Sequence, residues 1–313
     1  MLAEFIITPD VFSASDEVLR GRLNELQDVL LPRRSSPRFV ICKLGSDKWQ
    51  TAVARKIAAI PNQELRINAQ MLFERLVTEV SVDRPLPQAD DPTSEREWIS
   101  SGERSSRQIA LDGIVASESI SEAEIVLSVA RFVSDQYCVR FPNPRFVERT
   151  EESQVAPLRT ICLHSDWMIL RLPQLRGSVD DEIVTLKQVM NLASVRSPGQ
   201  TKCSVEIHLC KQRRIPDDRL KKVLEDELSC FRGSMAEVNL KFAPKNFTDR
   251  QIIAGEWARM PNDQRARRAR WLITMTHVAI GRRRESSSEQ CTWSLFDRKT
   301  AHEKLMEIEE SLT

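Results

Sequence analysis

Apolar positions in the first eighty residues switch between two spacings. Glu4 to Thr8 is a short apolar strand closed by Pro9. Val18, Leu19, Leu23, Leu26, Val29 and Leu30 then recur at helical spacing, which predicts a helix from Asp16 to about Leu31, with Ser13 and Ser15 as caps and Pro32 as the stop. Arg38 to Leu44 reads as a buried strand. Gly45-Ser46-Asp47 opens a second helix through Ile60, carried by Trp49, Val53, Ile57 and Ile60. Pro61 breaks it, and a third helix runs from about Asn62 to Val80 on Leu65, Ala69, Leu72 and Leu76. Residues 83–97 hold Pro85, Pro87 and Pro92 among acids and read as a long loop. Trp98 to Val115 is expected to be helical, as is Ser121 to Val133, where Ser121 and Glu124 have capping-box spacing.

Pro142 and Pro144, in the charged stretch from Arg140 to Ser153, mark the expected boundary between a helix-rich N-terminal region, 1–140, and a second domain, 141–313; one continuous domain is the alternative. Beyond it, strands and helices alternate: Trp167 to Leu172, a helix from Val179 to Val195, Cys203 to Cys210 with clear period two, a helix from Pro216 to Phe231, and Glu237 to Phe242. Such alternation predicts an α/β fold with a mostly parallel sheet flanked by helices. Arg250 to Glu256, Trp271 to Met275, Val278 to Arg282 and Cys291 to Phe296 are further short strands, and a last helix covers about Arg298 to Leu312.

Charge matters locally rather than globally. The 313 residues carry a net charge of +1, yet Lys241 to Arg284 holds eleven basic and three acidic residues, a local net of +8. Arginine, a planar donor suited to phosphate, dominates the run. Lys245, Arg250, Arg265, Arg267, Arg268, Arg270, Arg282, Arg283 and Arg284 are the expected nucleic-acid contacts. The competing reading is a solvated helix face together with basic guards on edge strands. Trp257, Trp271 and Trp293 lie in or beside the run; the apolar surroundings of Trp271 and Trp293 put those two in the core, and Trp257 is more open.

Other chemistry finds little support. Glycine is scarce, and neither G-x-G-x-x-G nor a Walker-type loop occurs, so nucleotide folds lose their main signature. No G-x-S-x-G elbow is present. Cys203, His208 and Cys210 do not make a zinc site, because strand geometry puts Cys203 on the face opposite His208 and Cys210. They read as a buried cysteine and a surface histidine. Seven cysteines without C-x-x-C spacing, no leader-like N-terminus and no long apolar run suggest a reducing, cytoplasmic setting, with no metal, no cofactor and no membrane partner.

The segment Lys245-Asn246-Phe247-Thr248-Asp249-Arg250-Gln251-Ile252-Ile253, followed by Trp271-Leu272-Ile273-Thr274, resembles the histidine-bearing strand of phospholipase D-like proteins, including variants from prokaryotic defence and mobile-element systems. The resemblance implies an α/β/α fold over the last half of the chain and a phosphate-friendly groove. Its nucleophilic histidine would stand two residues before the basic residue, the position held here by Thr248, with Arg250 as the basic residue. A threonine hydroxyl without a base does not replace an imidazole. The expectation is therefore a non-catalytic pseudoenzyme, a subunit that binds nucleic acid or a protein partner. A phosphodiesterase or nuclease borrowing His208 or His277 is the second reading, and a self-associating structural protein, a homo-oligomer, is the third.

Overall fold

The computed structural model describes residues 2–32, 38–87, 91–118, 124–134, 140–142, 145–148, 155–172, 179–195, 202–210, 217–231, 236–243, 247, 250–259, 265–278 and 290–312. The chain is α/β and divides into two compact units, residues 2–142 and 143–313.

The first unit is built on an all-parallel sheet. Its central strand β1, Ala3–Ile7, is buried along its whole length, as strands covered on both faces are; the carboxylate of its Glu4 is paired with Arg84. It pairs with β2, Phe39–Leu44, through Phe5 opposite Ile41, and with β4, Gly113–Ala116, through Ile6 opposite Ile114. Outside these lie β3, Ser81–Arg84, and β5, Val126–Ser128, giving the order β3-β2-β1-β4-β5. The crossovers are α1, Asp16–Leu30; α2, Asp47–Ala58; α3, Gln63–Arg75; and α4, Glu95–Gln108. A helical turn, α5, Val129–Phe132, follows β5. Leu19, Leu26, Leu30, Trp49 and Val53 bring the predicted stripes into the core.

Several expectations are corrected. The third helix ends its regular part at Arg75 and continues as a π-helical turn, Leu76–Val80. Asp83 and Arg84 belong to β3, and the predicted loop gives way to α4 at Glu95, where Ser94 and Glu97 form a capping box. Backbone and side-chain donors of Thr93 and Ser94 hold the Glu97 carboxyl at about 2. The helix predicted from Trp98 to Val115 ends at Gln108, and its tail is β4. The helix predicted from Ser121 to Val133 is β5 and α5 where described; Ser121 lies outside the described residues.

The second unit holds a seven-stranded mixed sheet in the order β6-β12-β11-β10-β7-β8-β9. Three strands are parallel: β7, Trp167–Leu172; β8, Cys203–Leu209; and β9, Ala236–Phe242. The others, β10, Arg250–Arg259; β11, Arg265–Val278; β12, Gln290–Phe296; and β6, Arg145–Glu148, are antiparallel to their neighbours. Helices α6, Arg159–His164; α7, Val179–Ser194; α8, Asp217–Glu227; and α9, Arg298–Leu312, complete it. The strands expected at Trp271 to Met275 and from Val278 are one long β11, which starts at Arg265; residues 279–282 lie outside the described residues. Trp167, Ile169, Ile253, Ala269 and Leu272 pack beneath Ala301, Leu305 and Ile308 of α9.

The β10–β11 hairpin contains a bulge. Ala254 faces Trp271 and Gly255 faces Ala269, so Arg270 is the extra residue. The bulge lets both Ala269 and Leu272 face α9, although they are three positions apart. It also needs Gly255, where a Cβ would lie 2.0 Å from the Arg268 carbonyl oxygen.

Candidate functional site

Strand alternation sorts the arginines of β11 onto two faces. Arg267 shares the α9 face with Ala269. Its guanidinium lies over Trp167 and Trp257, 5.5 Å and 5.7 Å from the ring centroids. It donates to the Glu206 carboxylate of β8 and approaches Glu309 of α9 at 4.0 Å. Arg268 and Arg270 lie on the other face and share Glu256, at 3.7 Å and 3.6 Å, with Arg298 at 3.9 Å from the same carboxylate. Arg270 also stacks on Trp271, 4.8 Å from its centroid. Arg265 is exposed near the hairpin end. Arg250 opens β10 half-buried, opposite Met275. Lys245, Thr248, Arg282, Arg283 and Arg284 lie outside the described residues. The expected basic segment is thus not one surface: its described arginines are divided between two faces, and Arg267, Arg268 and Arg270 all meet carboxylates.

Trp271 and Trp293 are buried and Trp257 is half-buried, as expected. His208 differs from the expectation. Strand alternation predicts a surface residue there, but it is 1 % exposed. The polar positions of β8 face the side of the sheet that carries α9, so alternation there separates two covered faces instead of inside from outside. The strand faces follow the sequence: Cys203 is buried on the side opposite His208, and the Cys210 thiol meets the backbone of Phe247.

On that side, one row of residues crosses the sheet. Lys241 of β9 is opposite His208 of β8, His208 opposite Arg171 of β7, Arg171 opposite Gln251 of β10, Gln251 opposite Thr274 of β11, and Thr274 opposite Ser294 of β12. All six side chains are polar. Sequence reasoning missed the row because it links six separate segments; the available signal was a polar residue in the penultimate position of each of β7, β8 and β9. At the usual strand spacing the row extends about 24 Å. It lies next to the carboxyl ends of the three parallel strands, where open α/β sheets take their ligands.

The row is cationic and braced from below. Arg171 donates to Gln251 Oε1 at 2.8 Å, and its guanidinium sits 4.1 Å from the centre of the Phe247 ring. His208 Nε2 is 3.1 Å from Glu206 Oε2, and Lys241 Nζ is 3.1 Å from the same oxygen. Glu206 is buried with three cationic or ionisable partners. Burial pushes its carboxyl up, but the hydrogen bonds from His208 and Arg267, the Arg267 charge and Lys241 outweigh that, and it stays ionised well below the usual carboxylate range. The Lys241 side chain retains 43 % of its exposure, so the outer end of the row meets solvent. His277 lies on β11 opposite Cys291, and its side chain is outside the described residues.

No helix among the described residues is long and apolar enough to cross a membrane. No protein-family model and no curated protein matches the chain. Among solved structures, the archaeal chromatin protein TrmBL2, whose structure shows a novel mode of DNA binding, is 10 % identical over 56 % of this chain and 54 % of its own, with a TM-score of 0.28. Polyphosphate kinase from Porphyromonas gingivalis is 12 % identical over 83 % of this chain and 34 % of its own, with a TM-score of 0.32. The alignments therefore span about half and about a third of those two chains. Likeness at this level carries nothing of either protein over to this one.

Proposed function

We propose that the chain is a non-catalytic, phospholipase D-like subunit that binds the phosphodiester backbone of nucleic acid through the second unit. The observation that carries this reading is the pair Lys241 and Arg171, on either side of the buried His208, beside the carboxyl ends of three parallel strands. Cations at that edge suit a chain of phosphates, and neutralising them releases counterions. Phe247, stacked on Arg171, offers an aromatic face to an unpaired base. Arg250 opens β10, which runs antiparallel to β7 and so begins at the end of the sheet where β7 finishes. The absence of a histidine at position 248 supports binding without cleavage. A defence or mobile-element setting belongs to the family resemblance alone.

The test is binding of the purified protein to labelled single- and double-stranded DNA and RNA across a salt series, with the products analysed for cleavage. Binding that weakens steeply with salt and leaves the nucleic acid intact is expected. No binding at low salt would overturn the reading and turn attention to a protein partner.

One observation favours a second reading, phosphodiester cleavage: the His208 imidazole is held by a carboxylate and is next to Arg171, an arrangement that suits a general base. Cleavage lost in His208→Ala would establish it in place of the first.

A further inference from the structure

The first unit holds a separate polar cluster. Its chain reverses between β1 and β4: β2 and β3 lie on one side of β1, β4 and β5 on the other. Ligands of open parallel sheets bind outside the carboxyl ends of the strands at such a switch point. Here Thr8 follows β1, Ser117 follows β4, and Glu95 begins α4.

The Glu95 carboxylate fills this position. Its Oε1 accepts hydrogen bonds from Thr8 Oγ1 and from the Ser117 backbone N–H, each at 2.6 Å. Its Oε2 accepts one from Ser117 Oγ, also at 2.6 Å. Arg22 of α1 stands alongside, 8 % exposed. Its Nη1 donates to the carbonyls of Val11 and Ser13 at 3.0 Å and 3.4 Å, and its Nη2 to that of Ser117 at 3.5 Å. Its buried Nε meets no acceptor among the described residues.

Helix capping does not explain Glu95. Ser94 and Glu97 already form the reciprocal cap of α4. Two hydroxyls, a backbone N–H and a buried guanidinium beside one carboxylate are the equipment of an oxoanion site. We propose that the cluster is such a site, that its resting occupant is the protein's own Glu95, and that a phosphate-class ligand takes the position when this carboxylate turns out. This inference is independent of the function proposed for the second unit.

The probe is inorganic phosphate, measured by equilibrium dialysis against the full-length chain. Glu95→Ala is expected to bind one phosphate more per chain than the unsubstituted protein. Adding Arg22→Met should weaken that extra site about tenfold or more. Any phosphate bound by the second unit appears equally in both proteins, so only the increment counts. An unchanged stoichiometry overturns the proposal. If Glu95→Ala fails to fold, Glu95→Asp shortens the side chain while keeping an acid at the helix start, and the same increment is required of it. Phosphate should also raise the melting temperature of the variant more than that of the unsubstituted protein at matched ionic strength; equal responses count against the site.

Discussion

Arg267 crosses the face of Trp167 to reach Glu206, so a residue of β11 neutralises a buried carboxylate on β8, with β10 and β7 between them. The arrangement turns the most inward arginine of the basic run into a brace. Arg267→Ala is expected to destabilise the second unit by about 3 kcal/mol, the low end for a broken buried pair, because His208 and Lys241 still face the carboxylate. Urea unfolding monitored by tryptophan fluorescence measures it. A loss of nucleic-acid affinity with unchanged stability would instead make Arg267 a contact residue.

The same carboxylate sets an acid limit. Glu206 ionises below its ordinary value of 4.5 in the folded protein. A depressed carboxyl contributes stability in full above the unfolded value and loses it as pH falls toward the folded one. The stability gap between the unsubstituted protein and Glu206→Gln should therefore be constant near neutral pH and shrink below about pH 4.5. Urea midpoints at successive pH values test this; a gap that widens on acidification would contradict the assignment.

Salt dependence separates contact from scaffold. Lys241→Ala and Arg171→Ala should each lower the slope of log affinity against log salt by about one. Replacing Arg282, Arg283 and Arg284 together by Ala, at positions known only from the sequence, should lower affinity and flatten the slope further. A triple variant with unchanged affinity would remove that segment from the interface.

Gly255→Ala tests the bulge. The added Cβ would meet the Arg268 carbonyl oxygen at 2.0 Å and Trp167 Cζ2 at 3.0 Å. Backbone cannot yield as a flexible side chain does, so a loss of about 3 kcal/mol is expected, read as a fall in the unfolding midpoint.

The sequence was most legible where a single face is apolar. The stripes of α1, α2 and α3 and the alternation of β8 come directly from side-chain spacing. β4 was lost because Gly113, Ile114, Val115 and Ala116 form a short apolar run that periodicity alone does not separate from helix. α4 added to the confusion: beyond Trp98 and Ile99 its buried positions are Ser101, Gly102 and Ser105, so the later part of its inner face carries little hydrophobic signal. The candidate site was partly legible. The arginines were visible, but the strand was expected to begin at Trp271; because β11 starts at Arg265, alternation divides them between two faces. His208 looked solvent-facing because alternation does not reveal a second covering layer.

The pairing of β6 with β12 places Phe146 opposite Thr292, close to the chain's end. During synthesis, the first unit has its last strand once Ser128 leaves the ribosome. The second waits until residues beyond 290 emerge before its earliest strand finds a neighbour. Nascent chains halted before β12 would expose both β6 and the open side of β11, which makes late truncations prone to aggregate while the first unit still folds.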